Sequence, residues 1–391
     1  MSFKFPYSRQ KVDNADIRSV IKVLKSDFLT QGPVVKEFEK KLSHFSGAKF
    51  VSAVNSATSG LYLACRALGL KKNDFAWTTP NTFVSSANCI INCGANIDFV
   101  DINKKNFNID VNALEKKLKK TIKKKLPKIV IPINFAGCPY DQKKLAYLAK
   151  KYNFKIIEDA SHAIGAKNDK QKVGNCNWSD AVVYSFHPVK IITTGEGGAV
   201  LTNDKNLYEK INILRTHGIT RDPKLMSKKN RSYWYYEQVD IGYNFRISDI
   251  HAALGKSQLK KINQFVRLRN SIAKFYKSKL HNLPIRFQEV EKKYISSYHL
   301  FVISLTNPIN IENYDKIFKF LRQKNILVNL HYLPVHKQPF YKKIKYLKNK
   351  KFENSEKYAK SALSLPIYPG LKKNNLTYIC NYLKQALKKF G

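Results

Sequence analysis

Acidic residues are scarce in this sequence. Only 28 of its 391 residues are Asp or Glu, against 70 Lys and Arg, which leaves a formal net charge of +42 at pH 7. Arginine is scarce too, because the basic residues are 11 Arg and 59 Lys. A nucleic-acid reader relies on Arg for bidentate contacts to phosphate and guanine. The excess therefore reads as a solvated Lys-rich surface that draws anionic metabolites towards a cleft, and no nucleic acid is expected as a partner. Gly and Pro number 16 and 14, which excludes collagen-like and low-complexity chains. Six cysteines in 391 residues exclude a small disulfide scaffold, and none of them form a C-x-x-C pair. Cys89 and Cys93 stand four apart, but a zinc site there needs two further ligands; packed thiols and no metal are expected. Long apolar runs are missing as well. The longest uncharged stretch, residues 75–97, carries Pro80 and four Asn, a poor membrane span. The start MSFKFPYSRQ has no apolar signal core. A reduced, cytoplasmic enzyme or binding protein without a membrane partner fits these absences.

What is present is core material. Apolar residues make up 43% and charged residues 25%, and the length suits two packed domains. Helical spacing predicts helices at 13–25 and 34–45. Short apolar strands then alternate with helices: strands at 49–54, 75–78, 96–100, 129–133, 154–158, 180–186 and 198–202, helices ending at Leu68 and spanning 83–93, 112–125, 143–152 and 206–215. That alternation predicts a mainly parallel sheet covered on both faces, with ligands at the carboxyl ends of its strands. The style changes near Ile247. A long helical stretch at 248–270 continues to 280, followed by isolated strands at 299–305 and 327–329 and helices at 313–323 and 376–388. Residues 1–246 are expected to form a large α/β domain with an N-terminal arm, and 247–391 a smaller α+β domain.

Two strand ends carry the chemistry. In Ile156-Ile157-Glu158-Asp159-Ala160-Ser161-His162 an apolar strand ends in carboxylates, with Glu158 and Asp159 on opposite faces. Asp159 could be a plain helix cap. In Ser185-Phe186-His187-Pro188-Val189-Lys190 a second strand ends, and a Gly-rich return, Thr193-Thr194-Gly195-Glu196-Gly197-Gly198, follows the lysine. Most lysines of such a chain are surface charges, but Lys190 has apolar and turn neighbours. An acid and an amine at two strand ends suit pyridoxal phosphate, which needs an amine to bind its aldehyde and a carboxylate to keep its ring nitrogen protonated. Ala57, Thr58 and Ser185 could cradle the phosphate, since Asn55-Ser56-Ala57-Thr58-Ser59-Gly60 turns from a strand into a helix. Phe83 offers an aromatic face.

The ordered set Asn55-Ser56-Ala57-Thr58-Ser59, Thr82-Phe83-Val84, Glu158-Asp159-Ala160-Ser161-His162, the segment from Ser185 to Gly198, Arg215-Thr216-His217-Gly218 and Gly242-Tyr243-Asn244-Phe245-Arg246 resembles the DegT/DnrJ/EryC1/StrS nucleotide-sugar aminotransferases over essentially the whole chain. The resemblance implies a fold type I, aspartate-aminotransferase-like α/β enzyme working as a homodimer: a three-layer α/β/α large domain with a smaller C-terminal α+β domain. It implies Lys190 as the lysine that binds the cofactor and shuttles the proton, and Asp159 as the partner of the pyridine nitrogen. His162, where many members have Gln, would contact the ring hydroxyl. Phe83 would stack on the ring, Ala57, Thr58 and Ser185 would hold the phosphate, and Asn244 would reach it from the other subunit.

Finer segments resemble the PseC-like branch: Phe5-Pro6-Tyr7-Ser8, the loop Asp27-Phe28-Leu29-Thr30-Gln31-Gly32, and Asn329-Leu330-His331-Tyr332-Leu333-Pro334-Val335. That branch aminates C4 of a UDP-linked 4-keto-6-deoxy-N-acetyl-L-altrosamine on the route to pseudaminic acid, with glutamate as expected donor and pyridoxamine 5'-phosphate as the alternate cofactor form. Tyr7, Asp27, Phe28, Leu29, Thr30, Asn329, Leu330, His331 and Tyr332 would then surround the nucleotide sugar, with His187 as a further sugar contact. Asp27 departs from the branch, where a less acidic residue is expected. Each has a plainer alternative: Tyr7 packing an arm, His187 a satisfied strand-end histidine, His331 and Tyr332 lining a core edge. The run Tyr233-Trp234-Tyr235-Tyr236 reads as dimer packing, with a loop that covers the partner's site as the alternative. The rival functions are the same transfer to a GDP- or dTDP-linked 4-keto sugar or to a C3 ketone, a sugar dehydratase, which Lys190 argues against, and a non-catalytic or nucleic-acid-binding protein.

Overall fold

A computed structural model describes residues 4–227, 232–307 and 309–391. Two helices come first, α1 (Asn14–Leu24) and α2 (Pro33–Ser46). Asp13 caps α1 by accepting the Ala15 and Asp16 N–H groups. α2 opens on Pro33, whose missing N–H costs nothing at that position. Gly32 has no side chain to cap α2, and the carboxylate of Asp249 does so from across the fold, accepting the N–H groups of Gly32, Val34 and Val35.

The alternating region follows: β1 (Phe50–Val54), α3 (Ala57–Ala67), β2 (Phe75–Thr78), α4 (Ser85–Asn92), β3 (Asn96–Phe99), α5 (Val111–Lys120), β4 (Ile129–Ile131), α6 (Gln142–Tyr152) and β5 (Lys155–Asp159). A hairpin of β6 (Lys167–Asn168) and β7 (Gln171–Lys172) precedes β8 (Ala181–Ser185), β9 (Gly198–Thr202) and α7 (Lys205–Leu214). Beyond these lie the short pair β10 (Ile219–Thr220) and β11 (Glu237–Gln238), then α8 (Asp249–Leu259) and α9 (Ile262–Leu280). Strands β12 (Ile285–Phe287), β13 (Tyr294–Ile295) and β14 (Phe301–Leu305) come next, followed by α10 (Ile311–Gln323), α11 (Pro339–Lys342), α12 (Glu353–Ala359), β15 (Ala362–Leu365) and α13 (Lys373–Phe390).

Seven strands form one sheet in the order β1-β9-β8-β5-β4-β2-β3. Its pairs are parallel except those of β9, which runs against both β1 and β8. Leu61, Cys65, Ile90, Ile131 and Val183 fill the layer between one face and α3 and α4. On the other face Leu42, Tyr184, Leu201 and Phe265 pack with α2, α8 and the start of α9, and Trp77, Leu114, Leu145 and Ile156 pack with α5 and α6. The result is the expected helix–sheet–helix sandwich. A second, antiparallel sheet, β12-β14-β15, has its own core with α10, α13 and the later turns of α9, built around Tyr276, Phe301, Ile317 and Leu383. α9 runs from the first core into the second.

Three expected elements differ in detail. The helix expected at 112–125 ends at Lys120, where Thr121 turns its hydroxyl back to the Lys117 carbonyl at 2.7 Å, and a separate turn covers Lys123–Lys125. The stretch 248–270 breaks between α8 and α9, where Gln258 and Lys261 both donate to the buried Asp16 carboxylate, at 2.6 and 2.5 Å. Residues 327–329 form no ladder. They contribute one bridge, Asn329 to Ser364, and the polypeptide there leaves the sheet to border the cavity described next.

Candidate active site

Alternation along β5 sends its two acids to opposite faces. Glu158 turns towards α6, where Gln142 Nε2 donates to both its oxygens, at 3.0 and 2.8 Å, and Asn134 Nδ2 donates at 3.0 Å. Burial pushes its carboxyl up, against the pull of those bonds. Asp159 turns towards α4. Its carboxylate accepts the Ser86 hydroxyl at 2.6 Å and the Ser161 N–H at 3.0 Å. No helix follows that it could cap. It borders a cavity of about 420 Å³. The cavity sits where Ser56, Thr82, Asp159 and Ser185 end or follow β1, β2, β5 and β8, at the carboxyl edge of the sheet.

Lys190 reaches the same cavity from the turn after β8. Burial pushes its amine down to about 8, and the Asp159 charge pulls partly the other way. Ala57 and Thr58 line the cavity at the first turn of α3, where N–H groups have no partner within the helix. Gly198 lets β9 pass beneath that turn: a Cβ there would lie 2.6 Å from the Ala57 nitrogen. The Thr58 hydroxyl meets Ser85 Oγ at 2.9 Å, and Ser185 lies on the lining. Phe83 is 55% exposed and faces the cavity, its ring 5.9 Å from that of Tyr332. A helix start with hydroxyls, an amine with a lowered pKa, a buried carboxylate and an open aromatic face together fit pyridoxal phosphate.

Histidines form the rest of the wall. Nδ1 of His162 accepts the Ala136 N–H at 3.2 Å, and Nε2 meets the Tyr332 hydroxyl at 3.1 Å. His299 packs tilted against His162, ring centres 4.4 Å apart, and its buried Nδ1 has no hydrogen-bond partner among the described residues. Burial first, then the Lys190 charge, holds both rings well below the usual histidine range. The same causes bring His331 down to about 3, while its Nδ1 meets Ser364 Oγ at 2.8 Å. The Tyr7 ring packs tilted against His331, centres 4.8 Å apart.

Of the residues singled out from sequence, Lys190, Asp159, His162, Phe83, Ala57, Thr58, Ser185, Tyr7, His187, Asn329, Leu330, His331 and Tyr332 line this one cavity. His187 is at its exposed rim. Asn244 lies outside the cavity of its own chain; its backbone carbonyl accepts Asn55 Nδ2 at 3.4 Å. Asp27, Phe28, Leu29 and Thr30 lie outside too. Thr30 bridges Ser248, the Leu29 carbonyl takes the Asp249 N–H, and Asp27 and Phe28 border a separate hollow with α1, α2 and α8. Sequence reasoning missed Ser86, His299 and Glu196, which line or support the cavity. Ser86 left a trace in the hydroxyl-rich run Thr82, Ser85, Ser86 beside Phe83, and Glu196 in the Gly-rich return after Lys190; His299 left none. The six cysteines are free, with the Sγ atoms of Cys65 and Cys89 3.8 Å apart. Among the described residues no helix is long and apolar enough to cross a membrane.

The family described as DegT/DnrJ/EryC1/StrS aminotransferases matches residues 10–384. The chain is 37% identical over 389 residues to the UDP-4-amino-4,6-dideoxy-N-acetyl-beta-L-altrosamine transaminase of Campylobacter jejuni, covering 98% of this chain and 97% of that protein. Helicobacter pylori PseC, an aminotransferase involved in the biosynthesis of pseudoaminic acid, superposes with a TM-score of 0.89 at 30% identity over 99% of this chain and 100% of that one. A Streptococcus pneumoniae protein described as a sugar aminotransferase, in its PMP form, superposes with a TM-score of 0.89 at 27% identity over 99% of this chain and 100% of that one.

Proposed function

This chain belongs to the DegT/DnrJ/EryC1/StrS aminotransferase family, and from that membership we propose that it moves the amino group of glutamate to C4 of a UDP-linked 4-keto-6-deoxy-N-acetyl-hexosamine, on the route to pseudaminic acid. The enzyme is a transaminase whose cofactor is pyridoxal 5'-phosphate, with pyridoxamine 5'-phosphate in the alternate half-reaction. Similarity to the Campylobacter jejuni transaminase along nearly the whole chain supports the substrate class. The observation that carries the reading is the single cavity bordered by Lys190 and Asp159.

When bound, the cofactor carries the amino group and acts as the electron sink. Lys190 holds it and afterwards moves the proton at the substrate carbon, work that needs an amine neutral near the operating pH. Asp159 pairs with the ring nitrogen, Phe83 stacks on the ring, and His162, whose two nitrogens are engaged by Ala136 and Tyr332, packs beside it. Ala57, Thr58 and Ser185 hold the phosphate. Tyr7, His187, Asn329, Leu330, His331 and Tyr332 receive the sugar nucleotide. The enzyme works as a homodimer in the cytoplasm. Asn244 and the loop from Asp27 to Thr30 enter the site of the second copy, which accounts for their distance from their own cavity and for the exposure of Phe28, Leu29, Ile241 and Tyr243. The free cysteines agree with a reducing compartment.

The test is incubation with glutamate and a panel of UDP-, GDP- and dTDP-linked keto sugars, with products identified by mass and NMR. A C4-aminated UDP-N-acetyl sugar is expected. Turnover confined to a GDP- or dTDP-linked sugar, or to a C3 ketone, refutes the substrate while leaving the transaminase in place.

A further inference from the structure

We infer that Thr82 and Ser86 form a two-hydroxyl relay that positions the Asp159 carboxylate and keeps the proton shared with the cofactor's ring nitrogen on the ring. The inference rests on the proposed pairing of Asp159 with that nitrogen. Ser86 Oγ lies 2.6 Å from Asp159 Oδ2, and Thr82 Oγ1 lies 2.8 Å from Ser86 Oγ. A carboxylate only accepts, so the Ser86 proton is committed to Asp159. The Thr82 hydroxyl must then donate to Ser86, and the direction of the chain is fixed. All three residues are buried. The Ser161 N–H holds the other carboxylate oxygen at 3.0 Å. Both oxygens are thus oriented, and each keeps acceptor capacity towards the cavity.

The plainer explanation for buried hydroxyls at a helix start is capping. It does not apply, because the N-cap of α4 is Val84 and no side chain caps that helix. What remains is a charge-assisted bond of the short, strong kind, polarised by a second hydroxyl in a dry site. A hydrogen bond to the charged form favours that form. Stabilising the Asp159 anion leaves the shared proton on the ring nitrogen, where its positive charge makes the ring an electron acceptor. Without Ser86 the proton moves towards the carboxylate and the ring loses that charge. Ser86 and Thr82 act through Asp159 and are positioning residues.

Two readouts test this without turnover: calorimetric binding of pyridoxamine 5'-phosphate to the apo protein, and a pH titration of the visible band of the loaded protein. Ser86→Ala should weaken binding about tenfold or more, the scale of a lost bond to a charged group, and move the titration midpoint. Thr82→Val should move both in the same direction by less, and Ser86→Thr should restore them. Should Ser86→Ala fail to fold by circular dichroism, Thr82→Val carries the test with the same readouts. Unchanged affinity and midpoint in these variants, while Asp159→Asn alters both, overturns the relay and leaves the Asp159 pairing standing. If Asp159→Asn also changes neither, the pairing falls with it.

Discussion

The Tyr332 hydroxyl lies 3.1 Å from Nε2 of His162, and this bond has only one possible direction. Nδ1 of the same ring accepts the Ala136 N–H. A neutral imidazole carries one proton, so that proton is on Nε2. Burial, with the Lys190 charge, holds the ring well below the usual histidine range and so neutral near pH 7. His162 therefore donates to Tyr332, whose own proton is free for a ligand. Burial also pushes the Tyr332 phenol up, so it keeps that proton.

Tyr332→Phe should accordingly lower kcat by about 10²-fold or more, the scale of a positioned proton donor, with pyridoxamine 5'-phosphate affinity unchanged. His162→Gln retains a donor and should be far less costly than His162→Leu. Steady-state kinetics and calorimetry separate the cases. Because burial holds His162 well below the usual histidine range, the pH–rate profile should have no inflection near 6.5 assignable to it. An inflection there that disappears in His162→Gln would contradict the assignment.

Lys190 sets a second pH dependence. Burial pushes its amine down to about 8, and the Asp159 charge opposes this. An amine is neutral, and able to capture an aldehyde, above its pKa. Loading of the apo protein with pyridoxal phosphate should therefore accelerate as pH rises through about 8, not through the ~10.4 of a free lysine. Asp159→Asn removes the opposing charge and should move the inflection lower. Stopped-flow absorbance between about pH 6.5 and 10.5 measures both. An inflection above 10 in the parent protein sinks the prediction.

Lys190→Ala divides holding from proton transfer. Turnover should fall by about 10³-fold or more, since general acid–base work alone accounts for 10²–10⁴. The affinity for pyridoxamine 5'-phosphate, which forms no bond to the lysine, should persist in calorimetry. Retained turnover in this variant removes Lys190 from the chemistry.

These roles were readable to unequal depth. Lys190 and Asp159 stand out in the sequence because each breaks an apolar or Gly-rich strand end with a charge. The layers follow from short apolar strands alternating with helices. The reversed direction of β9 does not, because a fully buried apolar strand such as Gly198–Thr202 reads alike in either orientation. Ser86 could not be assigned, since its partner lies 73 residues away. Nor could the placement of the Asp27–Thr30 loop, which depends on a bridge to Ser248 and on Asp249 reaching back to the start of α2. His299 has no signature at all in sequence; only the fold packs it against His162. What escapes is consistently the long-range polar pairing that the topology creates.

One such pairing bears on stability rather than chemistry. Asp98, on β3, is 8% exposed, and its Oδ2 lies 2.7 Å from Lys117 Nζ on α5 and 2.6 Å from Lys350 Nζ. The Lys117 ammonium also sits 4.3 Å over the Trp77 ring. Burial pushes Lys117 down to about 8, with Asp98 holding it up. Burial pushes Asp98 up, and the two lysine charges outweigh it, so its carboxyl lies below the usual range. Asp98→Asn leaves the Lys117 charge buried without its counter-charge and should cost about 3 kcal/mol. Lys350→Ala, at a more exposed end, should cost under about 1 kcal/mol. Urea midpoints with an unchanged m-value measure both. The sign with pH follows. The carboxylate's contribution is present above its unfolded value near 4 and fades below it. Lys117 loses its proton as pH rises past about 8, and the attraction fades again. The gap between the parent and Asp98→Asn should thus be widest between about pH 4 and 8. A gap that stays constant from pH 3 to 10 would mean that Asp98 acts by packing and not by charge.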